Sequence, residues 1–201
     1  MESAGTPSRE SARERILLLG DPGLRVVCEP VTDFDSPDFQ SSGRRLLGAL
    51  EQFRREHGFG RGIAAPQIGI PSRIIALNLG AGPFLVVNPI LSVLSERRFT
   101  LWDDCMSFPW LMVRLERHLE TEMSYLNERG EAQRWERLEP ALSELLQHEV
   151  DHLDGILAVD RALDKKSIVA REVYLERRRF FDQMVDYTIA PTVPSPISQS
   201  Q

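Results

Sequence analysis

The stretch QHEVDH, residues 147–152, constrains the fold more than any other part of the chain. It holds two of only four histidines, four residues apart, with carboxylates between them. Leu142, Leu145, Leu146, Val150 and Leu153 recur around it at helical spacing, and Pro140 suits the first turn of a helix. Apolar residues on both sides of the motif predict a buried helix. Buried imidazoles and carboxylates are costly unless they find partners. The chain must therefore build its interior around a helix with a polar face, and that face needs something to satisfy it.

One economical partner is a metal ion. Residues i and i+4 lie on one helix face, about 6 Å apart at the base, so His148 and His152 can reach one ion. Glu149 is turned about 100° around the axis, where it can touch water at such a site. This is the physics of the His-Glu-x-x-His motif of metal hydrolases. The plain alternative is a solvent-facing helix that happens to carry these letters. A catalytic site of this kind uses three protein ligands and keeps one position open. A third histidine six residues after the second would fall at Ala158, so that pattern fails. Glu172 or Glu176 on a downstream helix and the upstream Cys105 all remain open as the third ligand on chemistry alone. A buried structural cysteine is the ordinary reading of Cys105.

Length and composition fit one globular domain: 201 residues, 42% hydrophobic and 27% charged. The net charge of −6 gives no support to a general nucleic-acid or membrane-surface role. No apolar run approaches the ~20 residues that cross a bilayer, and MESAGTPSRESARER lacks the apolar core of a signal peptide. Two cysteines far apart, Cys28 and Cys105, form no disulfide framework and fit a reducing compartment, so a cytoplasmic location is expected.

Residues 1–14 and the Pro/Ser-rich tail 188–201 read as disordered, leaving a single domain over 15–187. Within it, GDPG marks a turn. Leu46, Leu47, Leu50 and Phe53 predict a helix over 41–57, with Gly58 as its stop. RIIALNL and FLVVNPILSVL read as buried strands, HLETEMSYLN and AQRWERLE as a hairpin, and residues 167–185 as a final amphipathic helix. Strands in the middle with helices at both ends predict an α+β fold. Arg177, Arg178 and Arg179, followed by Phe180 and Phe181, read as a solvated basic face, with an element that meets an anionic partner surface as the alternative.

GRGIAAPQIG, residues 60–69, lacks both the third glycine of a dinucleotide loop and a Gly-Lys-Ser/Thr. Paired glycines followed by small residues suit a backbone approached closely by an extended peptide. Gln67 adds an amide donor that does not titrate.

Three segments in order now resemble the peptide deformylase family. Its marks are G-x-G-x-A-A-x-Q, E-G-C-x-S and Q-H-E-x-D-H; this chain has GRGIAAPQ at 60–67, DDCMS at 103–107 and QHEVDH at 147–152. GDPGLR near the start resembles the family's N-terminal segment. The likeness covers roughly residues 15–175, with the first and third motifs complete and the second partial.

The resemblance implies an α+β fold with antiparallel strands around the metal helix. It implies Cys105, His148 and His152 as ligands to one divalent ion, ferrous iron in nature, with zinc, nickel or cobalt able to replace it. It implies Glu149 as the general base, Gln67 and the backbone N–H of Met106 as oxyanion donors, and Gly62 as a backbone partner of the peptide. The substrate would be an N-formylated peptide or nascent chain, usually formyl-Met, met by a monomer, with the ribosome as a further partner. Gln147 and Asp151 would orient the ligands.

Four positions depart from the family. Asp103 and Asp104 stand for Glu and Gly; Asp103 keeps a carboxylate that can pair with Arg117, while Asp104 adds charge beside the cysteine. Arg61 and Glu144 stand at positions that face the pocket for the first side chain. They are expected either to pair across that pocket or to point outward. They raise the alternatives of a polar first residue, or of a weak or non-catalytic binding protein. An unrelated HExxH peptidase using Glu172 or Glu176 is the other alternative.

Overall fold

A computed structural model describes residues 14–190. The expected disorder of residues 1–13 and 191–201 lies outside the described residues.

The chain runs from a 3-10 turn, Pro22–Arg25, into α1, Pro37–His57. Ser36 starts that helix, its side chain accepting from the Phe39 N–H at 3.2 Å, and Pro37 occupies the first turn. Gly58 ends it at φ 73°, a left-handed position that glycine takes without a Cβ penalty. The helix starts before the expected 41 because Ser-Pro supplies the cap.

Strands β1 (Gly62–Ala64), β2 (Ile74–Asn78) and β3 (Pro83–Val93) follow, then β4 (Arg98–Asp103), β5 (Leu111–His118), β6 (Thr121–Leu126) and β7 (Ala132–Trp135). They form two antiparallel sheets. One has the order β1-β2-β3-β6-β7; the other is β4-β5-β8, where β8 is Ile168–Ala170. The expected hairpin is β6–β7, with Met123 opposite Trp135.

All five residues of β2 are buried, which means that both of its faces are covered. Ile74 and Ala76 pack with Leu46, Leu50 and Phe53 of α1. Ile75 and Leu77 point the other way, towards Leu145, Leu146 and Leu153 of α2 (Pro140–Leu153). The polar face of α2 turns to the three-stranded sheet, where Leu101, Cys105, Val113 and Leu115 form a further core. The motif helix therefore lies between the two sheets, as its sequence required.

The C-terminal region differs from the single helix expected over 167–185. Residues Ile168–Ala170 pair with the free edge of β5, Ile168 opposite Val113. Two short helices follow, α3 (Arg171–Glu176) and α4 (Arg178–Asp182), broken at Arg177. An exposed strand edge offers unpaired backbone groups, and a β-branched Ile-Val pair satisfies them better than one more helical turn would. The break lets Tyr174 and Phe181 both pack on Trp102. No helix among the described residues is long and apolar enough to cross a membrane.

Candidate active site

Helix α2 presents His148, Glu149 and His152 between the sheets, all nearly inaccessible to solvent. Cys105 arrives from the turn just after β4. Its Sγ lies 3.2 Å from His152 Nε2, which lies 3.2 Å from His148 Nε2. The ligand atoms of these three residues fall within 4.8 Å of one another. Glu172 and Glu176, the other third-ligand candidates, are exposed on α3 and outside this group.

A divalent cation fits this donor set. Three electron-pair donors converge in a dry pocket, and mutual repulsion opposes that unless a proton or a cation lies among them. Burial pushes the Cys105 thiol up, which a bound cation reverses by holding the thiolate. The surroundings orient the ligands as a metal site needs. His148 Nδ1 lies 2.9 Å from Asp103 Oδ2, leaving Nε2 for the centre. Arg117 donates to Asp103 at 3.3 Å and to Asp151 at 2.5 Å, and Arg161 donates to both Asp151 oxygens. Burial pushes the Asp103 carboxyl up, but His148 and Arg117 outweigh it and bring it to about 2. Burial alone would lower His148; Asp103 and Cys105 reverse that and raise it well above the usual histidine range. Burial and the His148 charge push His152 well below that range.

Gln147 ties the helix to β5. Its carbonyl oxygen accepts from the His118 N–H at 2.9 Å, and its amide donates to the His118 carbonyl at 2.9 Å. Gln67, in the 3-10 turn Ala65–Ile68, accepts from the Ala64 N–H, which fixes its amide to face the site. From there Nε2 donates to Ser107 Oγ at 3.1 Å and approaches Cys105 Sγ at 3.6 Å.

Glu149 is buried, and its Oε2 has no hydrogen-bond partner. Burial raises its pKa to about 7. Gly62 lies against it: a Cβ there would meet Glu149 Oε1 at 2.6 Å, so only glycine leaves the carboxylate room. Arg54 braces the glycine segment by donating to the Gly60 carbonyl at 2.8 Å. Met106 is buried beside Gly60 and lines the same cleft. β1 is the edge strand of its sheet, with β2 on one side only.

The departures noted in the sequence resolve in specific ways. Asp104 pairs with Arg171 at 2.7 Å, so its charge near the cysteine is neutralised. Sequence spacing could not show this, because Arg171 comes from 67 residues away. Arg61 and Glu144 pair with each other and do not point outward. Arg61 also donates to the Ala141 carbonyl at 2.7 Å. Ser107, Arg54, Arg161 and Arg171 were not singled out from sequence as site residues. For Ser107 alone a signal existed, as the last letter of the cysteine segment.

An α+β fold with a buried HExxH helix and an upstream cysteine as third donor defines a class of metal-centred hydrolase. Comparison with known proteins identifies the family. The sequence profile of the polypeptide deformylase family matches residues 13–167. The chain is 34% identical to the peptide deformylase of Thermotoga maritima over 165 residues, 82% of this chain and 96% of that one. It is 40% identical to that of a Parafrankia species over 153 residues, 76% of this chain and 79% of the relative. The crystal structure of the Thermotoga maritima enzyme superposes with a TM-score of 0.68 at 35% identity, covering 76% of this chain and 99% of that one. A Synechococcus elongatus peptide deformylase in complex with actinonin gives 0.69 at 28% identity, covering 83% and 89%. The chain belongs to the polypeptide deformylase family.

Proposed function

We infer that the protein is a metal-dependent hydrolase that removes the N-formyl group from the first residue of a peptide or nascent protein, releasing formate. The observation that carries this is the Glu149 carboxylate, buried with one oxygen unpartnered, beside the Cys105–His148–His152 group and an open strand edge.

Cys105, His148 and His152 would hold the ion. When bound, a divalent cation supplies Lewis-acid chemistry, polarising a carbonyl and acidifying water. Ferrous iron suits this mixed thiolate and imidazole set, and zinc, nickel or cobalt suit it too. The peptide backbone adds to the free edge of β1, with Gly62 as its hydrogen-bonding partner. Glu149 takes a proton from the attacking water and passes it to the departing amine. Burial raises this carboxyl to about 7 in the metal-free site, a better proton acceptor than an exposed glutamate. The Gln67 amide and the Met106 backbone N–H donate to the developing oxyanion, and Gln67 is held in place by the Ala64 N–H before the reaction begins. Asp103 fixes the tautomer of His148.

Nascent chains in the cytoplasm are the natural carriers of formylated N-termini. The exposed Arg177, Arg178 and Arg179 suit contact with the anionic surface of a ribosome.

The test uses protein prepared without oxygen and a formyl-Met peptide. Glu149→Ala should keep its metal and lose on the order of 100-fold or more of its formate release. Cys105→Ala should lose the metal itself. Full activity in Glu149→Ala would refute the assigned base, and unchanged metal content in Cys105→Ala would remove that ligand.

A further inference from the structure

The cleft that holds Glu149 is a cavity of about 300 Å³, and part of its wall comes from residues the family profile does not match. The profile ends at 167, yet Arg171, Leu175, Tyr187 and Ile189 all line the cavity. This outer wall is anchored at two places. Arg171 donates to Asp104, and its guanidinium lies 4.0 Å over the Phe59 ring, which joins both sides of the cleft mouth. Asp186 accepts from the Thr100 N–H at 2.9 Å and from its hydroxyl at 2.8 Å, while the Tyr187 N–H donates to the Thr100 carbonyl at 3.1 Å. Tyr187 also sets its ring edge-on to Phe99 of β4 at 5.6 Å. Residues 185–190 are thus a strap fastened along β4.

Inside, the strap faces the Arg61–Glu144 pair. Tyr187 lines the same cavity as both residues. The guanidinium of Arg61 is occupied by Glu144 and the Ala141 carbonyl. Its charge is therefore spent within the wall, and a ligand meets its methylene stem. The aromatic ring and the aliphatic stem are apolar surfaces in a cavity otherwise lined largely by polar and charged residues.

We propose that the strap of residues 185–190 selects the first side chain of the substrate, with Tyr187 as the specificity-determining residue that, with the Arg61 stem, favours a long unbranched apolar side chain over a short one. The proposal rests on the deformylation reading for where the peptide lies.

The experiment compares formyl-Met and formyl-Ala peptides of otherwise identical sequence. Formate release is measured on the metal-loaded enzyme, and peptide affinity is measured on the Glu149→Ala background so that nothing turns over. Tyr187→Ala should lower the Met-over-Ala preference about tenfold in both readouts, mostly through KM, the size expected for a few methylenes losing an apolar wall. Tyr187→Phe should keep the preference. Asp186→Ala alters a residue outside the cavity and unfastens the strap, so it should shift the preference in the same direction. A folded Tyr187→Ala protein with formate release and an unchanged preference would overturn the strap and leave the activity standing. A wild type that releases no formate, but whose affinity preference still depends on Tyr187, would overturn the activity and leave the strap standing. Neither release nor binding would overturn both.

Discussion

At the residue scale, the position of Glu149 depends on a hydrogen atom at Gly62. A methyl group there would overlap Oε1, at a distance real side chains do not tolerate. Gly62→Ala should therefore fold and hold metal but displace the carboxylate. A misplacement of this order costs about 100-fold in rate, so formate release should fall by that factor with metal content unchanged. Equal activity in Gly62→Ala would show that the carboxylate sits elsewhere. Glu144 makes a second prediction, in metal-free protein. Burial pushes its carboxyl to about 7 despite the Arg61 guanidinium, from an ordinary value of 4.5. A carboxyl raised in the folded state prefers to keep its proton there. Its contribution to stability is full below 4.5 and is lost as pH rises through about 7. Glu144→Gln removes that dependence. The variant should gain stability relative to wild type as pH rises through this window, read from denaturant midpoints; a pH-independent difference would refute it.

At the element scale, α2 is held by polar ties on one face and by apolar packing on the other. Arg117 on β5 is the central tie, bridging Asp103 at the end of β4 and Asp151 on the helix, with all three buried. Removing one member of such a network leaves buried charge uncompensated. Arg117→Met should destabilise the fold by about 3 kcal/mol, less if Arg161 holds Asp151, and should weaken metal binding by releasing His148. Equilibrium unfolding and metal titration read the two effects separately. A loss of metal affinity with no loss of stability would show that the bridge only orients the ligand. The elements themselves were legible to different degrees. The α1 stripe, the β2 and β3 runs, the β6–β7 hairpin and the motif helix were all visible, because each carries its own periodicity. Residues 167–185 misled because their apolar spacing fits a helix. What overrode it was the unpaired edge of β5, which no local pattern reports.

At the scale of the whole molecule, two antiparallel sheets enclose one polar helix, and a C-terminal wall completes the cleft. That arrangement explains why charged residues at the pocket do not spoil it. Arg61 is held by Glu144 and Asp104 by Arg171, so each of these charged groups at the cleft has a partner. The sequence by itself determined the buried helix with its two imidazoles and the carboxylate between them, the glycine segment, and the α+β class. Those follow from spacing and residue type, which act over a few positions. It left the third ligand open between Cys105 and two glutamates until the resemblance was drawn, and it left the direction of Arg61 and Glu144 open altogether. The tertiary structure brings Cys105 to His148 and His152 and leaves Glu172 and Glu176 apart, turns Arg61 onto Glu144, and pairs Asp104 with Arg171. Each is a contact between segments tens of residues apart, and a charge in sequence says nothing of which partner will neutralise it until folding brings the two together.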